Sequence, residues 1–182
     1  MLFHAAAGGV GLIACQWLNH LGATVIGTVG SSEKAELARA NGCHHTILYR
    51  EENLVDSVKE ITQGKGVPVV YDSVGKDTYE LSLDCLAPLG MFVSFGSASG
   101  PVESVNPQHL AARGSLFFTR PTLMTYTASR ENLLASANDL IEVVSSGAVK
   151  ISIEQTYPLQ QAAQAHRDLE SRKTTGSTIF TV

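Results

Sequence analysis

The chain has 182 residues, of which 44% are hydrophobic and 16% charged, and its net charge is −4. That apolar mass suffices for one buried core, and the charge is too low for a disordered chain. The negative balance offers no basic field to nucleic acid or an anionic membrane, and no apolar run is long enough to span a bilayer.

The start, Met1-Leu2-Phe3-His4, has no positively charged segment and does not read as a secretory leader. Leu2 to Ala5 is a short strand stub. Val10, Ile13, Ala14, Trp17, Leu18 and Leu21 recur at helical spacing and mark one buried face, and Gly22 ends that helix. Thr24 to Thr28 is a β-branched strand. Ser31 or Ser32 caps a helix through Ala40, closed by Asn41-Gly42. Thr46 to Tyr49 is a strand, and Asn53 caps a helix through Ile61. Val67 to Tyr71 is a continuous apolar strand, as expected where both faces are covered. A helix from about Asp77 to Leu86 is followed by a turn at Pro88-Leu89-Gly90 and a strand from Met91 to Phe95. Gly96 to Pro107 reads as loop, Leu116 to Thr119 as a strand, and Ser129 to Ser146 as a long helix lying on a sheet face. The tail reads strand (Ile151 to Thr156), helix (Pro158 to Ser171), strand (Ser177 to Val182).

Strand and helix alternate with short connections, which predicts an α/β fold: a doubly wound parallel sheet with helices on both faces. Residues 1–150 form its dinucleotide-binding domain, and residues 151–182 are expected to belong to another layer.

The first motif that carries chemistry is Ala6-Ala7-Gly8-Gly9-Val10-Gly11. It lies between a strand stub and an amphipathic helix, the context that a Rossmann glycine turn requires. Gly8 and Gly9 lack a Cβ, so the backbone can approach a pyrophosphate. The helix N-terminus adds free N–H groups and the positive end of its dipole. Gly11 allows tight packing of helix on strand.

NAD-binding versions place an acid at the end of the second strand, to hold the ribose 2′-hydroxyl. Here that place reads Thr28-Val29-Gly30-Ser31-Ser32, without a carboxylate. Small hydroxyl residues followed by Lys34 suit a 2′-phosphate. Arg50 adds charge, and Tyr49 beside it can stack on adenine. These residues favour NADPH.

Cys15, Cys43 and Cys85 are odd in number, widely spaced and form no C-x-x-C pair, the usage of reduced thiols in a cytoplasmic protein. The pair His44-His45 has no carboxylate or cysteine at ligand spacing, so no metal site is expected.

With these residues placed, the chain resembles the zinc-free quinone oxidoreductases of the medium-chain dehydrogenase/reductase superfamily. The resemblance rests on H-A-A-A-G-G-V-G from His4, G-T-V-G-S-S-E-K from Gly27, V-V-Y-D-S-V-G from Val69, V-S-F-G from Val93 and T-R-P from Thr119. Y-P-L from Tyr157, A-H-x-x-L-E-S-R from Ala165 and T-T-G from Thr174 extend it over essentially the whole chain. It implies NADPH-dependent hydride transfer to a quinone, enone or similar electron-poor carbonyl.

The resemblance also implies a two-domain subunit whose barrel-like catalytic domain precedes the first strand. On that basis the chain is expected to be the cofactor-binding portion, with a tail returning towards that absent domain. Ser177 to Val182 would then be a barrel strand without its partners.

Residue by residue, the resemblance implies Gly8, Gly9 and Val10 at the pyrophosphate. It implies Lys34 and Tyr49 at the 2′-phosphate end beside Ser31, with Arg172 reaching back to it. Ser73 and Val74 border the ribose, and Phe95, Ser97 and the backbone near Phe118 lie by the nicotinamide.

No Ser-His-Asp or paired-carboxylate set is evident, and no catalytic residue is assigned. Asp72, in Y-D-S-V-G, reads as structural or ribose-binding, and His109 and Tyr126 as surface or packing residues. Leu116 to Thr119 is expected at the sheet edge, with Phe117 and Phe118 inviting a homodimer. Two other readings compete. A methyltransferase on a similar sheet would want the acid missing after the second strand. A non-catalytic NADPH-binding module would bind the cofactor without turnover.

Overall fold

A two-residue strand, β1 (Leu2–Phe3), sits at the centre of the sheet in the computed structural model, which describes residues 1–182. It is followed by α1 (Gly9–His20), β2 (Ile26–Val29), α2 (Ser32–Ala40), β3 (His45–Leu48), α3 (Leu54–Ile61) and β4 (Val67–Asp72). Then come α4 (Tyr79–Asp84), β5 (Leu86–Ser94), α5 (Pro107–Ala112) and β6 (Phe117–Thr119). The chain closes with α6 (Leu123–Tyr126), α7 (Arg130–Ser145), β7 (Ile153–Pro158), a short 3₁₀ turn, α8 (Ala162–Glu170) and β8 (Ser177–Thr181).

Six strands make one parallel sheet in the order β3-β2-β1-β4-β5-β6. The doubly wound fold is therefore present, and its order reverses between β1 and β4. At such a switch point the connections diverge and leave a crevice at the carboxyl ends of the strands. β1 is short because Ala5 takes a positive φ of 55° and turns the chain. Its pairing nonetheless runs on: His4 N donates to Tyr71 O at 3.0 Å and Ala6 N to Thr28 O at 3.1 Å.

Two apolar layers cover the sheet. On one face Leu2, Ile26, Ile47, Val70 and Phe92 meet Leu54 and Val58 of α3 and Tyr79 and Leu83 of α4. On the other, small side chains dominate: Ala6, Ala7, Val25 and Val29 meet Cys15 of α1, Ala35 and Ala38 of α2, and Cys43.

That second face corrects the expected orientation of α1. Its buried residues are Gly11, Leu12 and Cys15, whereas Val10 is 64% exposed and Leu21 69% exposed. The physical reason is Gly11. A Cβ there would stand 2.6 Å from Ala6 O, so only a glycine can face the turn, and its position sets the rotation of the helix. Of the apolar stripe predicted from spacing, Val10 and Leu21 are turned out as a result, while Ile13, Ala14, Trp17 and Leu18 stay half-buried.

Three further expectations change. Pro88-Leu89-Gly90 is not a turn before a strand but a bulge within β5. Leu86 pairs with Val67 and Met91 with Val69, so the residues between them loop out of register. Pro88 has no N–H and Leu89 has φ 61°, so neither can stay in the ladder. The loop after Gly96 ends in α5, capped by Asn106 Oδ1 accepting from Gln108 N at 2.9 Å, with Pro107 in its first turn. The helix α7, expected on a sheet face, buries only Val143, and Leu133, Leu134 and Ile141 are exposed.

The tail is also partnered. β8 pairs in parallel with β7, from Ile153 opposite Ser177 to Pro158 opposite Thr181, so the final strand is not left alone. α8 is the crossover, held by Tyr157 Oη donating to Asp168 Oδ2 at 3.0 Å. The tail is tied to the glycine turn by Gly176 N donating to Ala7 O at 3.1 Å. Gln16 clasps the main chain of Lys150 through both amide atoms, at 3.0 and 2.9 Å.

Gly11→Ala should lower unfolding free energy by about 3 kcal/mol, because its Cβ has no room against the turn backbone. Gly22→Ala, where a Cβ meets nothing and only φ 78° is unfavourable, should cost about 1 kcal/mol. Urea unfolding of the two variants measures the difference, and equal losses would contradict the packing of α1 described above.

Candidate dinucleotide site

A cavity of about 780 Å³ opens at the carboxyl ends of β1, β2 and β4, where the strand order reverses. Its floor is built around a buried carboxylate. Asp72, at the end of β4, is fully buried and receives four hydrogen bonds. Val74 N and Gly75 N donate to Oδ1 at 2.7 and 2.9 Å, and the hydroxyls of Thr78 and Ser82 donate to Oδ2 at 2.6 and 3.0 Å. A buried charge is tolerable only with such satisfaction. Asp72 is thus a structural residue, and it does not line the cavity.

The bond from Ser82 settles the tautomer of His4. Ser82 spends its one proton on Asp72, so His4 Nε2, 2.9 Å away, must donate to Ser82 Oγ. Nδ1 then accepts, and the Thr28 hydroxyl at 3.0 Å donates to it. Ala5 N completes the chain by donating to Thr28 Oγ1 at 3.3 Å. Burial lowers the pKa of His4 below its ordinary 6.5, opposed by the nearby charge of Asp72, so the ring is neutral as this chain of bonds requires.

The far end of the cavity is basic. Lys34, Arg50 and Arg172 gather around Tyr49, and no carboxylate lies within ion-pair distance of any of the three. Lys34 Nζ donates to the main-chain oxygens of Arg172 at 2.7 Å and Thr174 at 3.2 Å. Arg172 Nη1 donates to Tyr49 Oη at 3.3 Å, and the Arg50 guanidinium lies 5.8 Å from the centre of the Tyr49 ring. Ser31 Oγ caps α2 by accepting from Lys34 N at 3.4 Å. Gly30 lies beneath Tyr49, where a Cβ would stand 3.0 Å from the phenolic oxygen.

Of the residues singled out in the sequence, Gly8, Ser31, Lys34, Tyr49, Ser73, Val74 and Arg172 line this one cavity. Five do not. Gly9 faces the tail, where a Cβ would stand 3.0 Å from Gly176 O. Val10 points to solvent. Phe95 packs against Phe3 with ring centres 5.7 Å apart. Ser97 is exposed, and its neighbour Ala98 reaches the cavity instead, with Ala98 N donating to Ser73 O at 3.1 Å. The Phe118 side chain belongs to the core, stacked on Phe92 at 5.4 Å and edge-on to Tyr79.

Sequence reasoning missed His4, Thr78, Leu81, Leu169 and Thr174. A lone histidine between Phe3 and Ala5 at the end of a strand was a usable signal, because such a residue needs partners when buried. Leu169 and Thr174 lay in stretches that carry the family resemblance, but no local pattern points them at the site, which they reach only through the return of the tail. No three His, Cys, Asp or Glu side chains stand together as metal ligands.

Asp72→Asn should cost about 3 kcal/mol, since an amide nitrogen replaces an acceptor facing hydroxyl or amide donors. Stability should also depend on pH through His4. Folding weakens its hold on a proton, so the unfolded chain binds more protons below pH 6.5. Stability is therefore full above that pH and falls as pH drops, by at most about 1.4 kcal/mol per unit from this group. Urea titrations of the native chain and His4→Gln should differ in slope between pH 6.5 and 5; identical slopes would remove His4 as the cause.

The comparisons with known proteins agree with this geometry. A family model described as zinc-binding dehydrogenase matches residues 9–142. The chain is 56% identical over 180 residues to a quinone oxidoreductase of Pseudomonas aeruginosa, covering 99% of this chain and 55% of that protein. It is 49% identical over 181 residues to a 2-haloacrylate reductase of a Burkholderia species, covering 99% of this chain and 54% of that one. The crystal structure of Escherichia coli quinone oxidoreductase complexed with NADPH superposes with a TM-score of 0.96 at 54% identity, over all of this chain and 56% of that chain. The chain thus spans about half the length of the relatives it matches. A switch-point cavity, a glycine turn and this match to most of its length together show that the chain belongs to the zinc-binding dehydrogenase family.

Proposed function

We propose that this chain is the cofactor-binding part of an NADPH-dependent oxidoreductase that delivers hydride to a quinone, an enone or a similar electron-poor carbonyl. The observation that carries the reading is the cluster of Lys34, Arg50 and Arg172 at the far end of the cavity, with no carboxylate within ion-pair distance of any of them. An anion of the size and charge of a 2′-phosphate satisfies it, whereas a free ribose hydroxyl leaves three cations uncompensated. The relatives named above support the same reading.

In this reading Lys34, Arg172 and the Tyr49 hydroxyl hold the 2′-phosphate, and Arg50 keeps the Tyr49 ring in place for adenine. Main-chain groups at Gly8, Gly9 and Val10 face the pyrophosphate from the start of α1, and Ser73 and Val74 border a ribose. Phe95, Ser97 and the main chain near Phe118 stand towards the nicotinamide. NADPH, when bound, supplies the hydride. The protein's share is position: the Asp72 and His4 network holds the strand ends, and the loops bearing Ser73 and Ala98 are bonded to each other. Residues 1–150 form the binding domain, and residues 151–182 complete its basic end. The family's name implies zinc, but no three His, Cys, Asp or Glu side chains of this chain stand together to hold it.

Binding without turnover by the 182-residue chain is a second reading. It is favoured by the exposure of Ser97 and of its neighbour Ala98, which lines the cavity. Mixing the chain with NADPH and a soluble quinone distinguishes the two by the loss of NADPH absorbance.

The chain is further proposed to act in the cytoplasm as a homodimer through the edge strand Leu116–Thr119. β6 is at the sheet edge and Phe117 is 54% exposed, although Phe118, expected to share that role, is turned into the core. A second copy pairing about a two-fold axis would satisfy the edge and end growth.

NADPH should bind at least about tenfold more tightly than NADH, a difference of about 1.4 kcal/mol. Lys34→Ala and Arg172→Ala should each weaken NADPH and leave NADH nearly unchanged. Equal dissociation constants for the two cofactors in calorimetry would overturn the 2′-phosphate assignment. Light scattering at micromolar concentration should give a dimer that Phe117→Lys converts to monomer; a monomer from the outset would remove the interface.

A further inference from the structure

Between α8 and β8 the chain runs as a short strap, residues 172–176, from the basic end of the cavity to the glycine turn. One end is turned out of α8 by Arg172, whose φ is 61°. Arg172 N donates to Leu169 O at 3.0 Å and Lys173 N to Asp168 O at 3.1 Å, a helix ending in which glycine usually takes the left-handed place. The other end rests on the glycine turn. Gly176 N donates to Ala7 O at 3.1 Å, and Gly176 O lies where a Cβ on Gly9 would stand 3.0 Å away. Between the two ends, Thr174 N and Thr175 N donate to no protein acceptor.

The hydrogen bonds from α2 to this strap all come from Lys34, whose Nζ donates to Arg172 O at 2.7 Å and to Thr174 O at 3.2 Å. An ammonium has three N–H groups, so Lys34 keeps one donor to spare. The Arg172 guanidinium has five and spends one, on Tyr49 Oη at 3.3 Å. A phosphate lodged between the two accepts from both without breaking either hold. Its free oxygens then bond α2 and the strap to each other.

We propose that residues 172–176 are a phosphate-sensitive clasp: the 2′-phosphate of NADPH, gripped by Lys34 and Arg172 together, holds the strap closed along the site. Lys34 is the positioning residue that joins strap, α2 and phosphate. The inference rests on the NADPH reading above and adds to it a change in the protein. Without the phosphate the strap opens more often, because Arg172 is held in a disfavoured conformation and the threonine amides add no bond of their own. A ligand that binds only the closed strap shifts the population towards it. NADH lacks the group that both side chains grip, so it leaves the strap as it is. The strap continues directly into β8, so closure at the basic end also steadies the β7–β8 pair.

Amide hydrogen exchange of the 182-residue chain tests this, read at Lys173, Gly176 and Ser177. Their N–H groups are bonded to Asp168 O, Ala7 O and Ser152 O, so they exchange when the strap opens. Saturating NADPH should slow them at least about tenfold more than saturating NADH does. In the chain without cofactor, Lys34→Ala should speed the same amides about tenfold, since both bonds to the strap are lost. NADPH at a concentration that saturates this variant should then protect no better than NADH. Lys173→Ala removes a neighbouring charge that makes no hydrogen bond to α2, and it should change neither result. Equal protection by the two cofactors, with NADPH still the tighter ligand, would overturn the clasp and leave the cofactor reading standing. Equal affinity for the two would overturn both. Unchanged exchange in Lys34→Ala would overturn the role given to Lys34. Should that variant fail to fold, the native chain with the two cofactors decides alone.

Discussion

One buried carboxylate organises the functional end of this sheet. Asp72 is fully buried, so its oxygens are satisfied by the donors around it. Two backbone N–H groups fix the loop after β4, and two hydroxyls fix the start and middle of α4. Because Ser82 is committed to Asp72, His4 is committed to Ser82 and Thr28 to His4. One directional chain of protons thereby locks the ends of β4, β1 and β2 in register. Those are the strands that border the switch-point crevice, so the cavity inherits its shape from a network whose members His4, Thr28, Val74 and Thr78 also line it.

The second constraint is space. The face under α1 and α2 is lined with alanine, glycine and cysteine, so helices approach the sheet more closely than larger side chains would allow. Gly11 sets the rotation of α1, and Gly27 leaves room for a sulfur atom. The tail depends on the same economy of volume. Gly176 lies directly over Gly9, and that contact brings Arg172 and Thr174 to the cavity.

Charge is distributed very differently at the two ends of the site. At the floor, the buried Asp72 is satisfied by hydrogen bonds. At the far end, three cations are left without anions, and Lys34 makes do with two carbonyl oxygens. Unspent positive charge at the far end, with none to spare at the floor, suits a ligand that carries an extra phosphate at that far end. That asymmetry is the physical basis for reading the cavity as a site for a phosphorylated dinucleotide.

By itself the sequence determined the doubly wound sheet, the glycine turn, the helix caps at Ser31 and Asn53 and the basic residues Lys34 and Tyr49-Arg50. All of these are local: periodicity, a missing Cβ and a capping side chain act within a few residues. It also identified β6 as the edge, since strand order follows from connection length and handedness. What only the tertiary structure decided was contact across long separations. Helical spacing marked an apolar stripe on α1, but Gly11 determined which side of the helix is buried. Pro88-Leu89-Gly90 looked like a turn, but pairing with β4 on both sides made it a bulge. His4 acquired its partners from Thr28 and Ser82, and Cys15 and Cys43 joined one buried cluster, through pairings that no local pattern encodes. Arg172 and Thr174 reach the cavity because the tail folds back over Gly9, and the free energy of that return lies in packing rather than in any short motif.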